Sequence, residues 1–374
     1  MGRTAYLPAL QAINMDDVVS LTRELIEISS HEDETEAGDF IEAWLRERTD
    51  ATVMRDDAGN VIASRGSSGE PTLALVGHHD VVPPADEQVD EHGAPISQVT
   101  ENRIYGRGSA DMKGAVAAMM LAFRDADPSL DLAFASFVGE EVGGIGARHA
   151  VADGFVPTFA VVGEGSAQYA TDGALDVVVA HRGRRGSTIT ARGRACHASE
   201  PEAGINAIYR ATEAIDRLRD IERPTATVAG ETLHGSLEAT KINAGTADNV
   251  IPETCQFTLD ERTLPGSTID IESAIEDLDG IEWEIDQDWP PMQCHDERFA
   301  ERARLALAAV GPDPSLITKP HATDASWLAE AGTATVVVGP AERGQAHTSE
   351  ESVDIELLQL AKRGYQAIAD SIEG

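Results

Sequence analysis

A chain of 374 residues, 42% of them hydrophobic, can bury a large core and exceeds the size at which one core keeps growing, so two domains are expected. Its 29 Lys and Arg stand against 65 Asp and Glu, a net charge of −36. The acid is spread along the whole chain, which argues against nucleic acid and anionic membrane surfaces as partners because the summed field repels them.

Met1 to Asn14 has neither a basic segment nor an apolar stretch of the kind a secretory leader needs, and Tyr6 stands where a myristoylation signal wants Ser or Thr. No stretch approaches the length of a membrane span, so the chain reads as cytoplasmic. Apolar positions Val18, Val19, Leu21, Leu25 and Ile26 follow helical spacing, and Phe40, Ile41, Trp44 and Leu45 form a second stripe. Continuous apolar runs then come at Leu73–Val76, Leu132–Val138, Phe159–Val162 and Thr335–Val338. Each is halted by Gly or a polar cluster, as buried strands of an α/β sheet covered on both faces require. Between the first two, Asp111 opens an Ala-rich segment with an acid at its N-terminus, which predicts a crossover helix.

From about Leu175 the texture changes. Strands at 176–180 and 187–191, a helix at 205–218, further strands near Lys241 and Gln256 and a helix at 269–278 predict an inserted α+β unit. The strand at Thr335 and the amphipathic helix carrying Val353, Leu357, Leu358 and Ala361 return to the first unit. The expected division is 1–177 with 289–374, interrupted by 178–288. Cys196, Cys255 and Cys294 are odd in number, far apart and without a C-x-x-C pair, so neither a disulfide framework nor a zinc ribbon is expected. Lysine occurs only at 113, 241, 319 and 362, a pattern that resembles proteins of salt-loving organisms, in which salt screens surface repulsion.

The predicted parallel strands end in groups able to ligate metal. His78 and Asp80 follow the first, Glu140 and Glu141 the second and Glu164 the third, while His347 lies in the loop after the last and Asp111 at the start of the crossover helix. In an open α/β sheet the carboxyl ends of strands meet at one crevice, where ligands bind. Acids and imidazoles converging there repel or compete unless cations sit between them. Imidazole nitrogen with carboxylate oxygen suits Zn, and also Mn or Co where the site is oxygen-rich.

The local sequences are Gly77-His-His-Asp-Val-Val-Pro83, Gly106-Arg-Gly-Ser-Ala-Asp-Met-Lys-Gly114, Gly139-Glu-Glu-Val-Gly-Gly144, Gly163-Glu164 and Ala346-His347. In content, order and spacing they resemble the family of acetylornithine deacetylase, succinyl-diaminopimelate desuccinylase, aminoacylase and glutamate carboxypeptidase, co-catalytic di-zinc metallopeptidases. The resemblance runs nearly end to end. It implies a zinc-peptidase-like catalytic domain with a central, mostly parallel sheet and an inserted ferredoxin-like lid and dimerisation domain. It implies that Asp111 bridges two metals, His78 and Glu164 holding one and Glu141 and His347 the other, with Zn expected and Co or Mn as alternatives. Asp80 would accept the second ring N–H of His78 and fix its tautomer, and Glu140 would be the general base. Relatives usually carry Glu-Pro-Thr where this chain has Glu164-Gly165-Ser166, which keeps the ligand and alters the loop beside the substrate.

The segment Gly193-Arg-Ala-Cys-His-Ala-Ser-Glu-Pro-Glu-Ala-Gly-Ile-Asn-Ala207 resembles the family stretch whose His reaches the active site of a partner subunit. By that resemblance His197 donates to the developing oxyanion and the chain is a homodimer. Gly245-Thr-Ala-Asp-Asn-Val-Ile-Pro252 and Asp260-Glu-Arg262 match the family lid, implying that Asn249 and Arg262 hold the substrate carboxylate. Glu351, four residues after His347, resembles a family position that braces the loop. The expected activity is hydrolysis of an N-acyl amino acid, of the succinyl-diaminopimelate desuccinylase or acetylornithine deacetylase type, with a dipeptidase or exopeptidase as the alternative. Outside that class, a metal-dependent phosphoesterase and a non-catalytic binding protein stay open. The phosphoesterase would call for phosphate-cradling groups not evident beside these ligands.

Overall fold

The computed structural model describes residues 17–66 and 72–372, so the expectation made for Met1 to Asn14 lies outside the described residues. The strands discussed below are β1 (Thr52–Arg55), β2 (Val61–Arg65), β3 (Thr72–His78), β4 (Asp131–Phe137), β5 (Phe159–Val162), β6 (Val177–His181), β7 (Arg184–Arg192), β8 (Cys196–His197), β9 (Ser236–Ala244), β10 (Val250–Ile251), β11 (Thr254–Arg262), β12 (Ile281–Trp289), β13 (Met292–Gln293), β14 (Leu316–Lys319) and β15 (Ala334–Val337). The helices are α1 (Val18–Glu27), α2 (Thr35–Arg48), α3 (Lys113–Asp125), α4 (Ile145–Ala152), α5 (Ala207–Arg219), α6 (Ile271–Ile275), α7 (Glu297–Ala308), α8 (Ala325–Glu330) and α9 (Ile355–Ser371).

Among the described residues the large sheet has nine strands in the order β1-β2-β4-β3-β5-β15-β6-β13, with β14 also paired to β6. The neighbours β4, β3, β5 and β15 are parallel. The pairs β1-β2, β2-β4, β15-β6 and β13-β6 are antiparallel. The sheet is therefore mixed: β4, β3, β5 and β15 run parallel through its centre and β14 runs parallel to β6, while the remaining pairs are antiparallel. Both faces are covered, which is why β3 and β4 read as unbroken apolar runs and are buried at every position after the first. Helices α1, α2, α3, α7 and α9 supply one core layer, and α4 and α8 the other.

Helix α3 is buried from Lys113 to Phe123 and packs hard against the strand ends. A Cβ at Gly77 would lie 2.7 Å from Met112 Cε, and one at Gly163 would meet the same atom at 2.7 Å. Two glycines thus let the start of α3 approach the ends of β3 and β5, bringing Asp111 beside His78. Asp111 precedes the helix without capping it. Met112 is the N-cap residue, and the Asp111 side chain turns to two imidazoles. No described helix is long and apolar enough to cross a membrane.

A second, antiparallel sheet, β9-β11-β7-β12, packs α5 and α6 over its own apolar cluster. Helix α6 is shorter than the 269–278 expected, with Asp270 capping it at Ser273 N. The strand at 177–181, which the sequence reading placed in the inserted unit, belongs to the large sheet as β6. β8 pairs with β10, and the outer strand β9 is exposed from Glu238 to Ala244.

Candidate active site

His78 closes β3 and is almost fully buried. Its Nδ1 lies 3.1 Å from the Asp80 carbonyl and 3.3 Å from Asp80 Oδ1, while Nε2 faces Asp111 Oδ1 at 3.2 Å and Glu164 Oε1 at 3.4 Å. With Nδ1–H donated to Asp80, Nε2 is the nitrogen turned toward the Asp111 and Glu164 carboxylates, the one left to ligate a cation once its proton is displaced. Asp80 does a second job. Its Oδ1 accepts Glu140 N at 3.1 Å and its Oδ2 accepts Glu141 N at 2.9 Å, clamping the turn after β4 to the end of β3.

Glu141 and Asp111 meet His347 from the other side. His347 Nε2 is 3.0 Å from Glu141 Oε1 and 3.2 Å from Asp111 Oδ2, so the two Asp111 oxygens are divided between two imidazoles. His347 adopts a left-handed backbone, φ 64°, unusual for a residue with a side chain. Nearby, Glu351 Oε1 accepts both Ala110 N at 3.0 Å and Asp111 N at 3.1 Å, and its Oε2 is 2.5 Å from Arg107 Nη1. The loop bearing His347 is thereby pinned to the loop bearing Asp111.

Ligand atoms of His78, Glu140 and Glu164 all lie within 4.8 Å of one another, as do those of Asp111, Glu141 and His347. Burial alone would lower the His78 imidazole, yet its hydrogen bonds to Asp111, Asp80 and Glu164 hold it well above the ordinary value. Hydrogen bonds to Asp111 and Glu141 push His347 up to about 10. Burial, with Asp324, Glu164 and Asp111 close by, pushes Glu140 well above the usual carboxylate range, although His78 opposes it. These are marks of a cluster with more negative charge than Lys319, its buried cation, balances. Divalent cations among such donors displace protons and relieve the repulsion, and the imidazole and carboxylate set suits Zn, Co or Mn.

The cluster floors a cavity of about 430 Å³ whose lining includes Arg184, Arg262, Lys319, His321, Tyr169 and Trp289. Arg262 donates from Nε to Asp260 Oδ1 at 2.7 Å, and Arg184 from Nε to Asp260 Oδ2 at 2.8 Å. Of the residues singled out in the sequence, Asp80, Asp111, Glu140, Glu141, Glu164, His78, His347 and Arg262 come together here. His197 and Asn249 do not line this cavity. The segments that carry them pair: His197 lies opposite Val250, the neighbouring Ala198 N donates to the Asn249 carbonyl at 2.9 Å, and the exposed His197 holds Ser199 Oγ at 2.6 Å. Sequence reasoning missed Lys319 and Asp324. Lys319 ends β14 as His78 ends β3, so the same strand-end logic applies once that short, half-polar strand is recognised. Asp324 is buried, neither of its carboxyl oxygens has a hydrogen-bond partner among the described residues, and burial pushes it up to about 8.

Comparison with known proteins is consistent with this arrangement. The sequence pattern of peptidase family M20/M25/M40 matches residues 74–371. The acetylornithine deacetylase of Myxococcus xanthus is 30% identical over 333 residues, covering 81% of this chain and 82% of that protein. Among solved structures, the aminopeptidase PepT of Bacillus cereus superposes with a TM-score of 0.77 at 22% identity, covering 96% of this chain and 98% of that one. The YXEP protein of Bacillus subtilis, described as a dinuclear metal binding peptidase, superposes with a TM-score of 0.68 at 18% identity over 94% and 96% of the two chains.

Proposed function

We propose, from the premise that the chain belongs to peptidase family M20/M25/M40 and so is a metal-dependent hydrolase of amide bonds, that it removes the acyl group from an N-acyl amino acid. One observation carries the reading: Asp111 presents Oδ1 to His78 and Oδ2 to His347, each at 3.2 Å, as a carboxylate shared by two cations would. His78 and Glu164 are assigned to one divalent ion and Glu141 and His347 to the other, with Asp111 common to both and Zn as the native metal. What such ions supply when bound is Lewis acidity toward the scissile carbonyl and the attacking water.

The protein groups then have separate tasks. Asp80 fixes the His78 tautomer and, through the Glu140 and Glu141 amides, sends the two neighbouring carboxylates to different sides. Glu141 goes to His347, whereas Glu140 faces the cavity, where it takes a proton from the attacking water and returns it to the departing amine. Arg262, oriented by Asp260, holds the substrate carboxylate with its planar fork. His197 and Asn249, adjacent on an exposed edge, are assigned to the cavity of a second copy in a cytoplasmic homodimer, with residues 178–288 as lid and dimerisation unit. There His197 donates to the carbonyl oxygen as charge develops.

A dipeptidase or exopeptidase reading stands second, since the solved structures of this fold include an aminopeptidase. A hydrolysis screen of N-acetyl, N-succinyl and dipeptide substrates with added Zn, Co or Mn, before and after chelation, tests both. Metal-dependent release of amine from N-acyl amino acids supports the proposal. Dipeptide cleavage alone moves it to the second reading, and turnover that survives complete chelation refutes it.

A further inference from the structure

The cations lining the cavity stand at two stations. At the first, Arg184 and Arg262 share the Asp260 carboxylate, which fixes both guanidinium groups. At the second stands Lys319, the last residue of β14, only 5% exposed and lining the same cavity. An ammonium has three donors. One reaches Glu164 Oε2 at 3.4 Å, long for a charge-assisted bond. The two oxygens of Glu164 face different ways, Oε1 toward His78 at 3.4 Å and Oε2 toward Lys319. The lysine therefore keeps its place beside Oε2 whether or not Oε1 serves as a ligand.

Burial opposes the charge of an ammonium this far from water, but nearby Glu164 and Asp111 outweigh it and keep the lysine charged, while Glu164 Oε2 is its one hydrogen-bond acceptor among the described residues. Besides the metal-ligating carboxylates and Glu140, assigned as the base, Glu342 is the carboxylate that lines the cavity among the described residues, and it is engaged at 2.7 Å by Arg103 and at 3.2 Å by Gln168. A substrate bearing an amino side chain meets like charge at both stations and, apart from the metal ligands and the base, finds only Glu342, already engaged. A substrate bearing two carboxylates is matched at both.

We propose that Lys319 is a specificity-determining residue that takes a second substrate carboxylate, so that the enzyme prefers N-acyl amino acids with two carboxylates over those with an amino side chain. The second carboxylate belongs either to the acyl group or to the amino-acid side chain, and the chemistry of recognition is the same. This inference deepens the amidohydrolase reading and rests on it.

The test is kcat/KM of the full-length, metal-reconstituted enzyme on isosteric pairs. N-acetylglutamate is compared with N-acetylglutamine, and N-succinylalanine with its succinamoyl analogue, beside N-acetylornithine. The two pairs distinguish the two places of the carboxylate. The wild type is expected to prefer the carboxylate member of at least one pair by about 10- to 100-fold, to turn over N-acetylornithine least, and to lose most of the preference in Lys319→Met through a rise in KM. Reading the ratio within each variant cancels any shared loss of fold or metal, with metal content measured alongside. Lys319→Gln serves if Lys319→Met does not fold. Absence of a carboxylate preference in the wild type overturns the inference. So does a Lys319→Met enzyme in which every substrate slows equally, which is the behaviour of a lysine that only braces Glu164. No turnover of any amide with any metal defeats the amidohydrolase reading and takes this inference with it.

Discussion

The Glu351 carboxylate accepts the backbone N–H of Asp111 at 3.1 Å, a hydrogen bond between residues 240 apart in the chain. With its partner Arg107 it forms a buried ion pair, the side chains 0% and 5% exposed. Removing one member of such a pair leaves the other charge stranded. Glu351→Ala should lower unfolding stability by about 3–5 kcal/mol, and loosening Asp111 should weaken metal binding by about 10- to 100-fold. Denaturant titration and metal titration of the variant check both, and a loss below about 1 kcal/mol would show the pair to be no more than a surface-like contact.

Glu140→Gln preserves the shape of the side chain and removes the proton acceptor. A loss in kcat of about 100- to 10,000-fold is expected, with metal content unchanged. Retained turnover would remove Glu140 from the role of base, and lost metal would make it a ligand.

His197→Ala and Glu140→Ala should each be nearly inactive alone. If His197 serves the cavity of a second copy, mixing the two after reversible dissociation creates heterodimers with one intact site, restoring roughly a quarter of wild-type activity. A mixture as inactive as its components would confine His197 to its own chain or to no role.

His181 is fully buried, its Nδ1 on the Arg182 carbonyl at 3.0 Å and its Nε2 on Thr323 Oγ1 at 3.1 Å. Burial lowers it to about 4. Between its unfolded value of 6.5 and that folded value, the unfolded chain takes up a proton that the folded chain refuses, so its contribution is complete above 6.5 and is lost as the pH falls toward 4. The slope is about 1.4 kcal/mol per pH unit. His181→Gln should flatten the stability profile in that window relative to the wild type, and parallel profiles from pH 4 to 6.5 would contradict the assignment.

The net charge of −36 predicts a fold that strengthens with salt. At 1 M the screening length is about 3 Å, shorter than the spacing of most surface acids. The thermal midpoint should rise between low and molar KCl, and a midpoint insensitive to salt would contradict the salt-adapted reading.

Much of the site could be read from the sequence because its parts are local. A buried parallel strand needs an unbroken apolar run, the run must stop, and the residue at the stop is visible, as at His78, Glu140 and Glu164. Family resemblance added roles to those positions. Strand β14, Leu-Ile-Thr-Lys, carries no such run, so Lys319 was not seen as a strand end. Asp324 stands directly before α8, a place where acids are common as helix caps, so its sequence position does not mark it. β6 was placed in the inserted unit because its own residues do not say which neighbour it pairs with, and in the structure β15, β13 and β14 claim it. The sequence by itself determined the apolar central strands, the crossover helix and the acids and imidazoles that stand at their ends, since burial and periodicity are written residue by residue. Only the tertiary structure decided that Asp111 lies between His78 and His347, that Lys319 enters the cavity, and that His197 and Asn249 lie together outside it. Those facts depend on the pairing of strands and the packing of α3 on Gly77 and Gly163, contacts between residues far apart in the chain.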